Sequence, residues 1–178
     1  MGRGEIDTVD PEKLESSGRA TRDGPLSEAD YFVVIELLKR QGIRLKINTV
    51  VSRSNCDEDL TCFIARVLPE RWKLFQVLPI SGQNDGLVDD QLVTPDEFAG
   101  YVARNRCVED LGVAVVPEDN SLMTGSYVMV DPAGRFFDNT AGVHAYSQPI
   151  NEIGVDAALR EVSVDVDRFL LRDGRYDW

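Results

Sequence analysis

Polar and apolar residues alternate along two segments, Leu45-Lys46-Ile47-Asn48-Thr49-Val50 and Arg71-Trp72-Lys73-Leu74-Phe75-Gln76-Val77-Leu78. A strand sends successive side chains to opposite faces, so Lys46 and Asn48 share one face of the first segment. Arg71, Lys73 and Phe75 share one face of the second. The intervening residues 55–67 read as a helix, with Asn55 as N-cap and Glu58 at the third helical position. Strand, helix, strand predicts a parallel pair with the helix over one face. The polar faces then point to solvent in an open sheet, or to the lumen of a barrel where a ligand binds. The same alternation also marks an ordinary half-exposed strand.

Elsewhere the punctuation is local. Residues 1–26 carry Pro11, Pro25 and several glycines but few large apolar side chains, and read as a flexible arm. Ser27 with Asp30 opens an amphipathic helix through Tyr31, Phe32, Ile35 and Leu38, with Gly42 as its stop. After a loop rich in Gly and Asp at 82–93, Thr94-Pro95-Asp96-Glu97 supplies an N-cap, a first-turn proline and a capping glutamate for a helix to about Asn105. A short strand is expected at 113–116. A hairpin is expected from 127–130 to 135–137, with Asp131-Pro132-Ala133-Gly134 suiting a type I turn. Two short helices follow, at 155–162 and 165–171.

The chain has 178 residues, 43% of them apolar, enough for one core. Its 31 acidic residues outnumber 19 Lys and Arg, for a net charge of −12. That balance argues against a nucleic acid polymer or an anionic membrane surface as partner. No apolar run approaches the roughly 20 residues that span a bilayer. Against this acidic background the basic cluster Lys46, Arg71 and Lys73, with Asn48, stands out and suits a polyanion such as a triphosphate. Three cysteines, Cys56, Cys62 and Cys107, read as buried or half-buried free thiols. Their odd number and the lack of a signal-peptide pattern favour a reducing cytoplasm.

Lys46-Ile47-Asn48-Thr49-Val50, Pro69-Glu70-Arg71-Trp72-Lys73-Leu74-Phe75-Gln76 and Val116-Pro117-Glu118-Asp119-Asn120 occur in order. Ser126-Tyr127-Val128-Met129-Val130-Asp131 and Gly134-Arg135-Phe136-Phe137-Asp138-Asn139 follow. From about Ile43 to Trp178 this pattern resembles the C-terminal part of viperin and its prokaryotic relatives, which are radical SAM enzymes. The resemblance implies an α/β fold, a partial (βα)6 radical SAM barrel with an α+β C-terminal extension. The last two barrel units would fall in 27–80 and the extension in 81–178, behind the arm at 1–26. It implies a 4Fe-4S cluster and S-adenosylmethionine as cofactors. The reaction would dehydrate a ribonucleoside triphosphate to its 3'-deoxy-3',4'-didehydro form, in antiviral defence.

The family's Cys-x3-Cys-x2-Cys motif has no counterpart here, so the cluster ligands are absent and a separately encoded cluster-bearing half is an expected partner. By the resemblance Lys46, Asn48, Arg71 and Lys73 contact the nucleotide and its triphosphate. Tyr127 matches a tyrosine beside the substrate sugar, suggested as a hydrogen-atom donor; an aromatic packing a strand is the alternative. His144 falls where some members carry a nucleotide-reaching lysine, although a lone histidine often serves structure. Arg3, in Met1-Gly2-Arg3-Gly4, resembles an arginine near S-adenosylmethionine after the fourth barrel strand. Asp138 and Asn139 would order the loop carrying His144, or serve as turn residues. The ending Arg172-Asp173-Gly174-Arg175-Tyr176-Asp177-Trp178 is similar to the family's aromatic tail. Two functions follow: the nucleotide-binding portion of a dehydratase, inactive alone, or a non-catalytic nucleotide-binding or interaction module.

Overall fold

A computed structural model describes residues 2–175, with side chains from residue 4 onward; the aromatic end at Tyr176 and Trp178 lies outside the described residues. The chain is mixed α/β and divides into two compact units, residues 1–77 with 93–117 and residues 78–92 with 118–178.

The first unit is built on a four-stranded parallel sheet in the order β1 (Gly2–Glu5), β2 (Leu45–Val51), β3 (Arg71–Gln76), β4 (Ala114–Glu118). β2 and β3 are the two alternating segments, and they run parallel with Lys46 beside Arg71, Asn48 beside Lys73 and Val50 beside Phe75. The other face carries Leu45, Ile47, Thr49 and Val51 from β2 and Trp72 and Leu74 from β3, all buried. Trp72 Nε1 donates to Thr49 Oγ1 at 2.9 Å, and Thr49 Oγ1 donates to the Ile6 carbonyl at 2.6 Å. The one large polar chain on this apolar face is therefore satisfied.

The arm expected at 1–26 is instead folded. β1 pairs with β2, Arg3 opposite Lys46 and Glu5 opposite Asn48, and α1 (Pro11–Ser16) follows, capped by Asp10 and burying Leu14. Two glycines in four residues hide this strand from propensity, because its stability comes from pairing with a partner some forty positions later. α2 (Glu28–Arg40) carries both halves of the Ser27–Asp30 capping box and ends before Gly42, whose φ is 67°. It packs beside α3 (Thr61–Val67) through Phe32 on Phe63, ring centroids 5.3 Å apart, and through the Glu28–Arg66 ion pair at 2.9 Å. α4 (Pro95–Asn105) has the predicted Thr94–Glu97 capping box.

The helix read at 55–67 starts six residues later than expected. Asn55 is not its cap: the side chain is buried, accepts from Ser52 N at 2.8 Å and donates to the carbonyls of Asp7 and Val50. It ties the ends of β1 and β2 together, a long-range role that outcompetes capping. Cys56 consequently lies in a turn and only Cys62 on α3; Cys56 is half-buried, whereas Cys62 and Cys107 are exposed rather than buried, and all three are free.

The second unit holds an antiparallel sheet, β5 (Met129–Val130), β6 (Arg135–Asp138) and β7 (Ala145–Pro149). The expected hairpin is present, with Gly134 N donating to the Asp131 carbonyl at 3.0 Å; the third strand was not expected. Short helices α5 (Asn120–Met123), α6 (Ile150–Ile153), α7 (Val155–Leu159) and α8 (Val166–Leu171) surround it in sequence. Among the described residues no helix is long and apolar enough to cross a membrane.

Candidate functional site

The parallel register brings four of the sequence-selected residues together. Lys46 and Arg71 form one cross-strand row and Asn48 and Lys73 the next, so alternation puts all four on one face of the sheet. Asn48, Arg71 and Lys73 are 2%, 6% and 3% exposed, and Lys46 is half-exposed. Burying an arginine and a lysine in adjacent strands is costly, and such groups persist where opposite charge or hydrogen bonds satisfy them. Neighbouring strands lie about 4.8 Å apart and alternate residues roughly 6.6 Å apart along each, so the four groups occupy a patch of di- or triphosphate size. β1 continues the pattern at backbone level: Arg3 sits opposite Lys46, while its side chain lies outside the description.

Tyr127 and His144 belong to the second unit. Tyr127 precedes β5 rather than lying in a strand. Its hydroxyl donates to Glu118 Oε2 at 2.6 Å, and the Arg172 guanidinium lies over its ring, 3.7 Å from the centroid. Glu118 is wholly buried and also receives Arg172 Nη1 at 3.4 Å, while Arg172 Nη2 donates to the Ser126 carbonyl at 3.0 Å. A cavity of about 390 Å³ is lined by Ser126, Tyr127, Val128, Phe169, Arg172 and Arg175, among others.

His144 stacks against Phe137, centroids 4.7 Å apart, and its Nδ1 lies 3.4 Å from the Tyr146 hydroxyl. Its Nε2 is buried without a hydrogen-bond partner. Asp138 accepts from the backbone of Thr140, a turn contact, and of Ser163, and Asn139 Oδ1 accepts from Gly125 N at 2.9 Å. Burial opposes ionisation of Asp138, but those N–H donors and the nearby His144 outweigh it and hold the carboxyl below its ordinary range.

Glu118 and Arg172 had no role assigned from sequence. The available signal was a carboxylate closing the apolar run Val115-Val116-Pro117, a residue that stays buried only with partners.

The residues do not suit an iron–sulfur cluster. Among the described residues no three His, Cys, Asp or Glu side chains group to hold a metal. No family profile matches the chain. It is similar to an S-adenosylmethionine-dependent nucleotide dehydratase of Lacinutrix mariniflava, 48% identical over 97% of this chain and 36% of that protein. One of Flammeovirga pacifica is 43% identical over 97% of this chain and 58% of its own length. A third, of Oncorhynchus mykiss, is 33% identical over 97% of this chain and 49% of its own. The chain thus spans between about a third and three fifths of these relatives' lengths. Nearly all of this sequence, 97% of it, is matched by proteins of that one name, and the chain belongs to the S-adenosylmethionine-dependent nucleotide dehydratase family.

Proposed function

We propose that this chain carries the nucleotide-binding part of a dehydratase that converts a ribonucleoside triphosphate to its 3'-deoxy-3',4'-didehydro form, in antiviral defence. The observation that carries the reading is the in-register patch of Lys46, Asn48, Arg71 and Lys73 inside a chain of net charge −12. Arg71 engages phosphate oxygens through its planar fork, Lys46 and Lys73 act as point charges, and the Asn48 amide fixes orientation. By the family resemblance His144 is a further nucleotide-binding candidate.

S-adenosylmethionine, when bound, supplies the radical that starts the reaction. By the family resemblance Arg3 would contact it; at backbone level residue 3 pairs with Lys46 in the sheet. By the resemblance the reaction would also require a 4Fe-4S cluster, and the parallel pairing of β2 with β3 supports reading residues 27–80 as the last two units of a partial barrel. Three free cysteines suit a reducing cytoplasm.

Isothermal titration of the chain with ribonucleoside triphosphates tests the patch. Lys73→Ala weakens binding by about tenfold or more, roughly 1.4 kcal/mol. Lys73→Met, which keeps the apolar stem, does the same, whereas Lys39→Ala on exposed α2 leaves affinity unchanged. Equal losses at Lys73 and Lys39 would place the phosphates elsewhere and favour a non-catalytic interaction module.

A further inference from the structure

We infer that residues 10–25 form a strap that opens as a unit, independently of the sheet, and gates the polar patch at the C-terminal ends of β1 and β2. The ligand it admits, a ribonucleoside triphosphate, rests on the dehydratase reading; the strap itself does not.

Both roots of the strap are fixed. Ile6 N donates to the Asn48 carbonyl at 2.9 Å and Asp7 Oδ1 accepts from Val50 N at 2.7 Å, so the chain stays pinned to β2 just beyond β1. At the other root the Ser27–Asp30 capping box holds the start of α2. Between them little is buried: among the described residues 10–25 only Leu14 is, at 2% exposure. A segment with so few buried apolar groups opens locally at far lower cost than core strands such as β2 and β3.

Beyond that leucine, charge closes the strap. α1 ends in a paired turn: Gly18, with φ of 71°, donates its N–H to the Glu15 carbonyl at 3.1 Å, and Arg19 N donates to the Leu14 carbonyl at 2.8 Å. The reversal returns Arg19 to the sheet, with Nη2 2.8 Å from Asp7 Oδ2 and Nη1 3.6 Å from Glu5 Oε2. Lys13 Nζ reaches the loop after β2, 2.7 Å from Glu58 Oε1 and 3.5 Å from Asp57 Oδ1. Thr8 Oγ1 donates to the same Glu58 oxygen at 2.9 Å. The strap thus crosses the C-terminal ends of β1 and β2, the end at which open parallel sheets take their ligands. Glu5 lies opposite Asn48 in register, so Arg19 is held at the β1 margin of the face that bears Lys46 and Asn48.

Two measurements on the chain test this. The first is amide hydrogen exchange, in which the amides of α1, Gly18 and Arg19 are expected to exchange together and well before those of β2 and β3. Leu14→Ala speeds them by about thirtyfold or more. Arg19→Gln speeds them by about twofold to fivefold, and added salt acts in the same direction on the wild-type chain. The amides of β2 and β3 are unchanged in both variants. Strap amides as protected as those of β2, or protection lost across the sheet in folded Leu14→Ala, would overturn the strap. The second is stopped-flow mixing with a ribonucleoside triphosphate. Leu14→Ala keeps every charge of the strap, and association and dissociation both accelerate severalfold while affinity changes by less than about twofold. An association rate that does not rise in Leu14→Ala, once its strap amides have lost protection, would overturn the gate and leave strap and patch standing. Failure of the wild-type chain to bind any triphosphate would overturn the dehydratase reading and the gate together, with exchange still deciding the strap.

Discussion

The two units of this chain obtain their rigidity from different sources. In the parallel-sheet unit, apolar burial dominates: Trp72, Leu74, Val51 and Val67 are wholly inaccessible, and alternation decides which side chains join them. In the second unit the strands are short, β5 having two residues, and Val130, Val155, Val166 and Leu171 are more than half exposed. Polar side chains there do the tying: Asp138 to Thr140 and Ser163, Asn139 to Gly125, Arg135 to Asp131, Glu118 to Tyr127 and Arg172. Sheet periodicity builds a platform for charged side chains, while a hydrogen-bonded framework fixes individual groups such as Tyr127.

The sharpest way to break the comparison is to remove apolar bulk from each unit. Trp72→Ala deletes the largest fully buried side chain and orphans Thr49 Oγ1 as acceptor, costing about 3–5 kcal/mol by denaturant unfolding. Phe137→Ala, at a half-exposed position, costs roughly half of that. Equal costs would mean the second unit is as dependent on apolar packing as the first.

Two aspartates sharpen it next, because their pH effects have opposite signs. Asp7, in the sheet unit, is pushed above its ordinary range by burial, against the Val50 N–H and Arg19, which lower it. Its folded state binds the proton more tightly than the unfolded state, so this stabilising contribution is full below the unfolded value and is lost as pH rises through the folded one. Asp138 is held low, so its contribution is present above the unfolded value and is lost as pH falls through the folded one. Between about pH 3 and 6, Asp7→Asn therefore makes stability rise more steeply with pH, and Asp138→Asn makes it rise less steeply. Losing one Asp138 acceptor oxygen additionally costs about 1–3 kcal/mol at neutral pH, because Ser163 N or Thr140 N is left unpaired. Urea unfolding across this range measures both slopes.

What was legible in the sequence follows the same division. Where a signal is local, it succeeded: Ser27 with Asp30 and Thr94 with Glu97 form full capping boxes, and alternation gave the faces of β2 and β3. Where a residue answers to a distant partner, it failed. Gly2–Glu5 is a strand only because β2 lies beside it, and Asn55 abandons the helix to bond Asp7 and Val50. Glu118 and Arg172, fifty-four positions apart, meet through tertiary structure alone, and no local pattern announces the pair.

The smallest effects test whether local signals carry local energy. Ser27→Ala and Thr94→Ala each remove an N-cap acceptor and should cost about 1 kcal/mol, independently of one another because they sit on different helices. Leu68, the C-cap of α3, tests the opposite sign. It holds a φ of 44°, a left-handed conformation that costs a branched residue roughly 1 kcal/mol, and its side chain is 47% exposed. Leu68→Gly relieves that strain and keeps the Leu68 N bond to the Ile64 carbonyl. Part of the gain is offset by the flexibility that glycine adds to the unfolded chain, so stability should rise by a few tenths of a kcal/mol. A loss of 1 kcal/mol or more would mean that the exposed leucine packs against the sheet unit strongly enough to hold a strained turn, and that burial rather than backbone preference ends α3.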